Sequence, residues 1–497
     1  MKKIFTFAAS LAIAAGVMAQ NHDHIHIFRN DKAFNTYKAA EVNGISFSGN
    51  NGTYNKMTVT SADGKTESIN MDLVDSCVVR TKGIPEFHVY LTDYPNWTEL
   101  QGSKSDVRAA TLRMDGNGMY DDLPEQKVEF RGRGNSTWNM AKKPYRFKMS
   151  KKASVCGLPK AKTFALLANY IDCSLMRNVV AMWVANYLKM PYANHMIPVK
   201  VYLNGIYKGA YMLTEKIGIG GGSVDIEETT GMLFELDTNY DEDFKFWFDL
   251  SKYTTQSSTP RDASNYIPVM VKDPDLTELA EDASVTEITD ANAYFEKWKA
   301  DFVVMAKAVM SRKSTESLSD VIDIESAVNF FIVNNIAANH EMKHPKSFYL
   351  HKESLDETEV YHFGPVWDFD WAFTFDGAEN ASPTAALVDG QAEREAGGYP
   401  FLKKLFQNKE FMEMYKQKWD DFVKDGYPQL KEYMEEYAMI IEPSAKENGL
   451  LWPADYSVSW RKSESSWEFR KNFNALKAWI ENRVSFVSSD SNFGLYK

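Results

Sequence analysis

Two aspartates stand two residues apart in Gly364-Pro365-Val366-Trp367-Asp368-Phe369-Asp370-Trp371-Ala372-Phe373, among four large aromatic side chains. On a strand they would share one face; on a loop they could converge on a cation. Burying two carboxylates in so apolar a stretch is costly unless they are paired or metal-bound. Mg²⁺ uses one or two protein carboxylates and completes its shell with phosphate oxygens and water. Asp368 and Asp370 are therefore candidate metal ligands, with a structural role as the alternative.

A second cluster reads Arg131-Gly132-Arg133-Gly134-Asn135-Ser136-Thr137-Trp138, followed by Lys142-Lys143-Pro144-Tyr145-Arg146. Five cations fall within sixteen residues, beside glycines that allow close backbone approach and beside Asn, Ser and Thr hydrogen-bonding groups. Phosphate sites combine exposed N–H groups with guanidinium and ammonium charges in this way. A tight turn carrying a solvated basic strand fits the same residues, and the pattern is neither a P-loop nor GxGxxG. In Asn169-Tyr170-Ile171-Asp172-Cys173-Ser174-Leu175-Met176-Arg177-Asn178, the last two residues fall in the first turn of an expected helix. A phosphate could lie at its positive end; a capping network is the alternative. Glu215, in Tyr207-Lys208-Gly209-Ala210-Tyr211-Met212-Leu213-Thr214-Glu215-Lys216, ends an expected strand and could orient a catalytic lysine. In Asn339-His340-Glu341-Met342-Lys343-His344-Pro345-Lys346-Ser347, Glu341 could be a base and His340 or His344 a proton shuttle. A polar loop closing a helix is the other reading, and the histidine spacing matches no zinc motif.

Four of these segments, RGRGNSTW…KKPYRFKM, NYIDCSLMRN, VYLNGIYKGAYMLTEKI and GPVWDFDWAF, resemble the spore-coat protein H (CotH) kinase family and keep its order over roughly 85 to 490. The resemblance implies an α+β, atypical protein-kinase-like two-lobed domain. Such a domain binds ATP with Mg²⁺ and transfers phosphate to Ser or Thr of proteins. It implies phosphate contacts from Arg133 and Lys143, a Glu215 that orients the lysine, and metal held by Asp368 and Asp370. Asn135, Ser136 and Arg177 complete the expected nucleotide site, and Glu341 would stand in the place of the base. Here the sequence departs from family members with kinase activity, which carry Asp and, a few residues later, Asn. Glu341 replaces the Asp, and Lys346-Ser347 stands where the Asn belongs. A lysine there opposes a bound cation or itself neutralises a phosphate.

These residues need elements to hold them. Alternating apolar residues predict strands at Phe87 to Leu91, Val128 to Phe130, Tyr145 to Met149 and Gly231 to Leu236. Val199 to Leu203 and Gly209 to Leu213 flank an Asn204-Gly205 hairpin turn. Helical spacing marks Ser174 to Leu188, Ala293 to Met310, Ile324 to Asn339, Pro400 to Ile441 with a break at Gly426-Tyr427-Pro428, and Ser466 to Ser485. A short strand pair, Ser347 to His351 and Val360 to Phe363, leads into the paired aspartates. The order is strand-rich first and helix-rich second.

Ahead of this domain, roughly 20–82 contains an internal repeat, Ile25 to Phe47 against Met57 to Val79, each read as a β-hairpin with a matched ending. It is expected to be a small β module serving as spacer or docking element. Lys2 and Lys3, the apolar run Ile4 to Val17 and Val17-Met18-Ala19 read as a signal peptide cleaved after Ala19. That predicts an exported protein: periplasmic, at the cell surface or secreted. His22, His24 and His26 alternate after the cleavage site, as a metal site or a frayed strand would. Cys77, Cys156 and Cys173 show no metal spacing; Cys156 could oxidise with Cys173, or each could be a buried thiol. The net charge of −12 argues against a nucleic-acid partner, and no later stretch reaches transmembrane length. The partner is then a protein substrate or a surface partner. Besides phosphotransfer, the sequence fits a non-catalytic surface module that binds protein or glycan with its aromatic residues. A hydrolase using Asp368, Asp370 and Glu341 has no signature beyond the acids.

Overall fold

The computed structural model describes residues 24–29, 34–50, 53–80, 83–117, 119–286, 288–343, 345–374, 382–389, 398–453 and 469–497. The expected signal segment, His22 and His344 lie outside the described residues. The chain divides into two units, Met1–Pro85 with Asp115–Asp122, and Glu86–Met114 with Leu123–Lys497.

In the first unit the repeat runs at the level of three strands. β1 (His24–Arg29), β2 (Phe34–Lys38) and β3 (Val42–Asn50) correspond to β4 (Thr53–Ser61), β5 (Thr66–Asn70) and β6 (Val74–Arg80). Each third strand leaves its own repeat: β6 pairs with β1, and β3 pairs with β4. The resulting sheets, β2-β1-β6 and β3-β4-β5, share one core of Ile27, Met57, Val59 and Ile69. Alternation along each strand puts these residues on one face.

The second unit begins with a closed barrel. Its strands are β7 (Glu86–Leu91), β8 (Arg108–Asp115), β9 (Leu123–Gly132), β10 (Tyr145–Ala153), β11 (Ala161–Leu167), β12 (Ile197–Leu203) and β13 (Ile206–Glu215). They close in the order β10-β11-β13-β12-β7-β8-β9. Phe130, Phe147 and Phe164 face one another across β9, β10 and β11, and all three are wholly buried. Asn204 and Gly205, both at positive φ, make the turn between β12 and β13. This is the primed geometry that matches strand twist. Helix α1 (Arg177–Tyr187) lies between β11 and β12 in the chain.

A six-stranded sheet follows, in the order β16-β15-β17-β14-β18-β19. Its members are β14 (Met232–Leu236), β15 (Lys245–Asp249), β16 (Thr254–Gln256), β17 (Tyr266–Asp273), β18 (Phe348–Lys352) and β19 (His362–Phe363). After the short α2 (Leu276–Glu281), α3 (Ala291–Ser311) covers it by packing Trp298 and Phe302 on Phe234. Helix α4 (Ile324–Ala337) is buried nearly all round, as a helix apolar on every face must be. The C-terminal helices are α5 (Gly398–Phe406), α6 (Lys409–Asp421), α7 (Tyr427–Leu451) and α8 (Phe469–Ser489). The break expected at Gly426-Tyr427-Pro428 is absent: a π-turn over Phe422–Gly426 joins α6 to α7, and Pro428 sits in the first turn of α7. There its missing N–H costs little. Helix α7 is bolted to the barrel by Asn448, whose Oδ1 accepts from Lys142 Nζ at 2.8 Å and from Ala210 N at 3.1 Å. The content is α+β, and no helix among the described residues is long and apolar enough to cross a membrane.

Candidate active site

The loop after β19 carries the paired aspartates. They do not share a strand face: Phe369 between them is wholly buried, and Asp368 has a φ of +59°. A non-glycine residue there is strained. The N-terminus of α1 holds the loop in place. Asn178 Nδ2 donates to Asp370 Oδ1 at 2.6 Å, and Asn178 Oδ1 accepts from Phe369 N at 3.0 Å. Arg177 donates to the carbonyls of Ile171 and Asp370 and to Thr374 Oγ1. Its guanidinium is 1% exposed, so Arg177 positions the aspartate loop and does not reach out to a phosphate as the sequence had led us to expect. The helix itself is capped by Asp172, whose carboxylate accepts from Ser174 N, Met176 N and Arg177 N at 2.9 Å each.

Three further chain segments bring charge to Asp368. Glu341, in the 3-10 turn His340–Lys343 after α4, is buried, and its Oε2 has no hydrogen-bond partner among the described residues. Burial and then Asp368 push the Glu341 carboxyl well above its ordinary range, and Lys346 opposes them. Asp237, immediately after β14, accepts from Asn239 N at 2.7 Å and Ser347 N at 3.3 Å. Burial pushes its carboxyl up to about 6. Asp368 is raised by burial, with Arg133 opposing, and Asp370 is raised by burial and by Asp368. Both aspartates are reached by solvent yet enclosed by protein. Four carboxyl groups thus crowd one another, with Arg133 and Lys346 as the facing cations. Among the described residues no three His, Cys, Asp or Glu side chains form a ready metal cage. The donor set fits Mg²⁺ nonetheless. It offers hard carboxylate oxygens, one of them orphaned, whose mutual repulsion a cation would relieve.

The basic motif separates into several roles. Arg133 faces the acids and lies over Trp367, 5.6 Å from the ring centroid. Burial lowers its pKa, and Asp368 and Asp370 oppose that shift. The glycines serve the chain itself: a Cβ at Gly132 would overlap the Trp138 ring, and Gly134 sits at φ +81° against Thr137. Asn135 is exposed, and its Oδ1 accepts from Lys104 Nζ at 2.5 Å; Ser136 opens a 3-10 turn and is exposed. Lys143 donates to Trp138 O at 2.6 Å and lies over the same ring. Its neighbour Lys142 is wholly buried, donating to Ala168 O, Ala210 O and Asn448 Oδ1 over the Tyr211 ring.

Glu215 is not paired with Lys143. Its carboxylate accepts from His195 N at 2.9 Å and meets His195 Nδ1 at 2.6 Å. The register gives the reason. Glu215 lies opposite Phe164, and Phe164 opposite Phe147. Lys143 precedes Phe147 by four residues, about 13 Å of extended chain. Of the residues singled out in the sequence, Arg133, Glu341, Asp368 and Asp370 therefore come together, whereas Lys143, Glu215, Asn135, Ser136 and Arg177 engage other partners or solvent. Asn178, expected with Arg177 at the positive end of the helix, holds the aspartate loop instead, and Asp237 was not singled out. Asp237 follows Glu235 just past the end of the otherwise apolar strand Met232–Leu236, and that placement is the signal it offers.

The model of the CotH kinase protein family matches residues 129–487, most of the chain. The chain belongs to the CotH kinase family. The matched span begins in β9 just ahead of Arg133 and ends within α8, so it contains the acid cluster, the basic motif and the helix that holds the aspartate loop. No curated protein matches this CotH-family chain.

Proposed function

We propose that this CotH-family chain is an atypical protein kinase that transfers phosphate from a nucleotide to Ser or Thr of a protein. The observation that carries the reading is the meeting of Arg133 with Asp368, Asp370, Glu341 and Asp237, drawn from four distant parts of the chain. In this reading the barrel forms one lobe and the six-stranded sheet with its helices the other. Asp368 and Asp370 would hold Mg²⁺, which would neutralise phosphate charge. Arg133 contacts phosphate oxygens, and Lys346 balances the remaining acids. Glu341 is the base, a buried carboxyl whose proton affinity is raised by burial and by Asp368. Arg177 and Asn178 are positioning residues that fix the aspartate loop. The signal segment 1–19 would export the protein to the periplasm, the cell surface or the medium, and the module of 20–82 would stand before the kinase domain of 85–490.

Incubation of the purified chain with Mg²⁺, labelled ATP and a Ser/Thr-containing protein tests the proposal. Label transfer that is lost in Asp368→Ala supports it; no transfer and no nucleotide binding at millimolar ATP sinks it. The engagement of Lys143 by Trp138 and of Glu215 by His195 favours a second reading, a kinase-like module that binds protein or glycan without catalysis. Nucleotide-dependent thermal stabilisation with no label transfer to any acceptor separates the two.

A further inference from the structure

Lys346 is placed by the same two segments that carry acids it faces. Its N–H donates to Glu341 O at 3.2 Å. On one side Pro345 O accepts from Thr238 N at 3.2 Å, and on the other Ser347 N donates to Asp237 Oδ2 at 3.3 Å. Ser347 takes a φ of +49°, a strained value that these bonds hold in place. The Lys346 side chain is half-buried. Burial raises the carboxyls of Asp237, Glu341 and Asp368, and the charge of Lys346 opposes that rise at all three. It is a counter-charge shared by acids from three segments. Arg133 works from the barrel, where its charge meets those of Asp368 and Asp370. At Asp370 the charges that act after burial are those of Asp368, Asp172 and Arg177. When all four carboxyls of the site are ionised they face two resident cations, and the charge left over is that of one divalent ion. That charge lies toward Asp368 and Asp370, because Glu341 and Asp237 already have Lys346. An ammonium is a donor only and cannot ligate a metal, and it repels a neighbouring cation.

We propose that Lys346 is a built-in cation that occupies the Glu341 and Asp237 side of the site, so that the protein takes a single divalent ion, on Asp368 and Asp370. The inference rests on the metal role given to those aspartates above and adds the number of ions and the residue that sets it. A neutral side chain at position 346 would leave Glu341 and Asp237 uncompensated, with hard oxygens open to a second ion.

Mn²⁺ titration of the full chain followed by electron paramagnetic resonance, which counts bound ions without any turnover, tests it. The parent should bind one ion; its retention in Asp368→Asn would place it elsewhere and overturn the assignment. Lys346→Asn should bind two, and Lys346→Arg, which restores the charge, one. Metal-free Lys346→Asn should melt below the parent and recover in Mn²⁺, since the second ion replaces the lost charge. Should Lys346→Asn not fold, Glu341→Gln decides: it removes an acid that Lys346 already balances and should keep the single ion, and loss of the ion there overturns the inference. Two ions in the parent, or one in Lys346→Asn, also overturn it and leave the kinase reading standing. One in the parent and two in Lys346→Asn, without label transfer to any acceptor, keep it and remove that reading. No ion bound by the parent at millimolar Mn²⁺ removes both.

Discussion

Replacing Asp237 by Asn should stabilise the metal-free protein at neutral pH and lose that advantage in acid. The Asp237 carboxyl rises from 3.8 to about 6, chiefly through burial. The folded state therefore binds a proton more tightly than the unfolded chain, and stability falls as pH rises between those values. Each pH unit of the interval is worth about 1.4 kcal/mol, so the ionised carboxylate costs about 3 kcal/mol above pH 6. Asn removes that cost but leaves only one acceptor atom where two N–H groups donate. Loss of the weaker bond, from Ser347 N, costs about 1 kcal/mol. The net gain is about 2 kcal/mol at pH 8. It shrinks by about 2 kcal/mol by pH 4.5, where the wild-type carboxyl is protonated in the folded state. Relief of the charge that Asp237 exerts on Glu341 and Asp368 adds with the same sign. Urea unfolding of both proteins in EDTA at pH 8 and pH 4.5 gives the comparison. A stability difference that does not change with pH would refute the reasoning, because no titration would then distinguish the two side chains.

Lys142→Ala removes the donor shared by Ala168 O, Ala210 O and Asn448 Oδ1 and should cost about 3 kcal/mol in urea unfolding. Gly132→Ala should displace the Trp138 ring, lowering stability by about 2 kcal/mol and shifting tryptophan fluorescence. Glu215→Gln removes the charge and leaves one acceptor atom where His195 N and Nδ1 each meet a carboxylate oxygen, and should lower stability by about 1 kcal/mol while ATP affinity, read by calorimetry, stays within about twofold. A large loss of ATP affinity would return Glu215 to the nucleotide site. Asn178→Ala frees Asp370 and should weaken Mg²⁺-dependent thermal stabilisation, whereas Asn178→Asp should weaken it further by adding a like charge.

The paired aspartates of the candidate site were legible in the sequence because two aspartates among aromatics have few inexpensive structural uses, whereas Asp237 was not. Arg133 was legible through the crowding of cations around it. What escaped depends on single-residue choices of face. Glu215 and Lys216 are neighbours, and alternation sends one to His195 and the other outward, within reach of the charges of Asp273 and Arg146. Which does which follows from the pairing of β13 with β11, a register that local sequence does not contain. Lys142 and Lys143 pose the same problem: one is wholly buried and the other sits on Trp138. Strand β17 was not marked in the sequence, and Pro268 within it argues against a central strand. Its partner β14 pairs only from Met270 onward, so Pro268 faces Trp247 of β15 alone. The exchange of third strands between the repeats of the first unit is likewise a long-range pairing, invisible to a reading of each repeat by itself.

The cage around Lys142 also sets an order of assembly. Its acceptors include Asn448, 306 residues later in the chain. Closing a loop of that length costs about 5 kcal/mol of chain entropy. Until α7 has been synthesised and docked, the barrel holds an ammonium that lacks one of its acceptors, so an N-terminal fragment cannot reach its final stability. Completion of the barrel is thereby coupled to arrival of the C-terminal helices. A chain cut short before Asn448 would stay open to proteases, and a full-length one would gain its protection late and all at once.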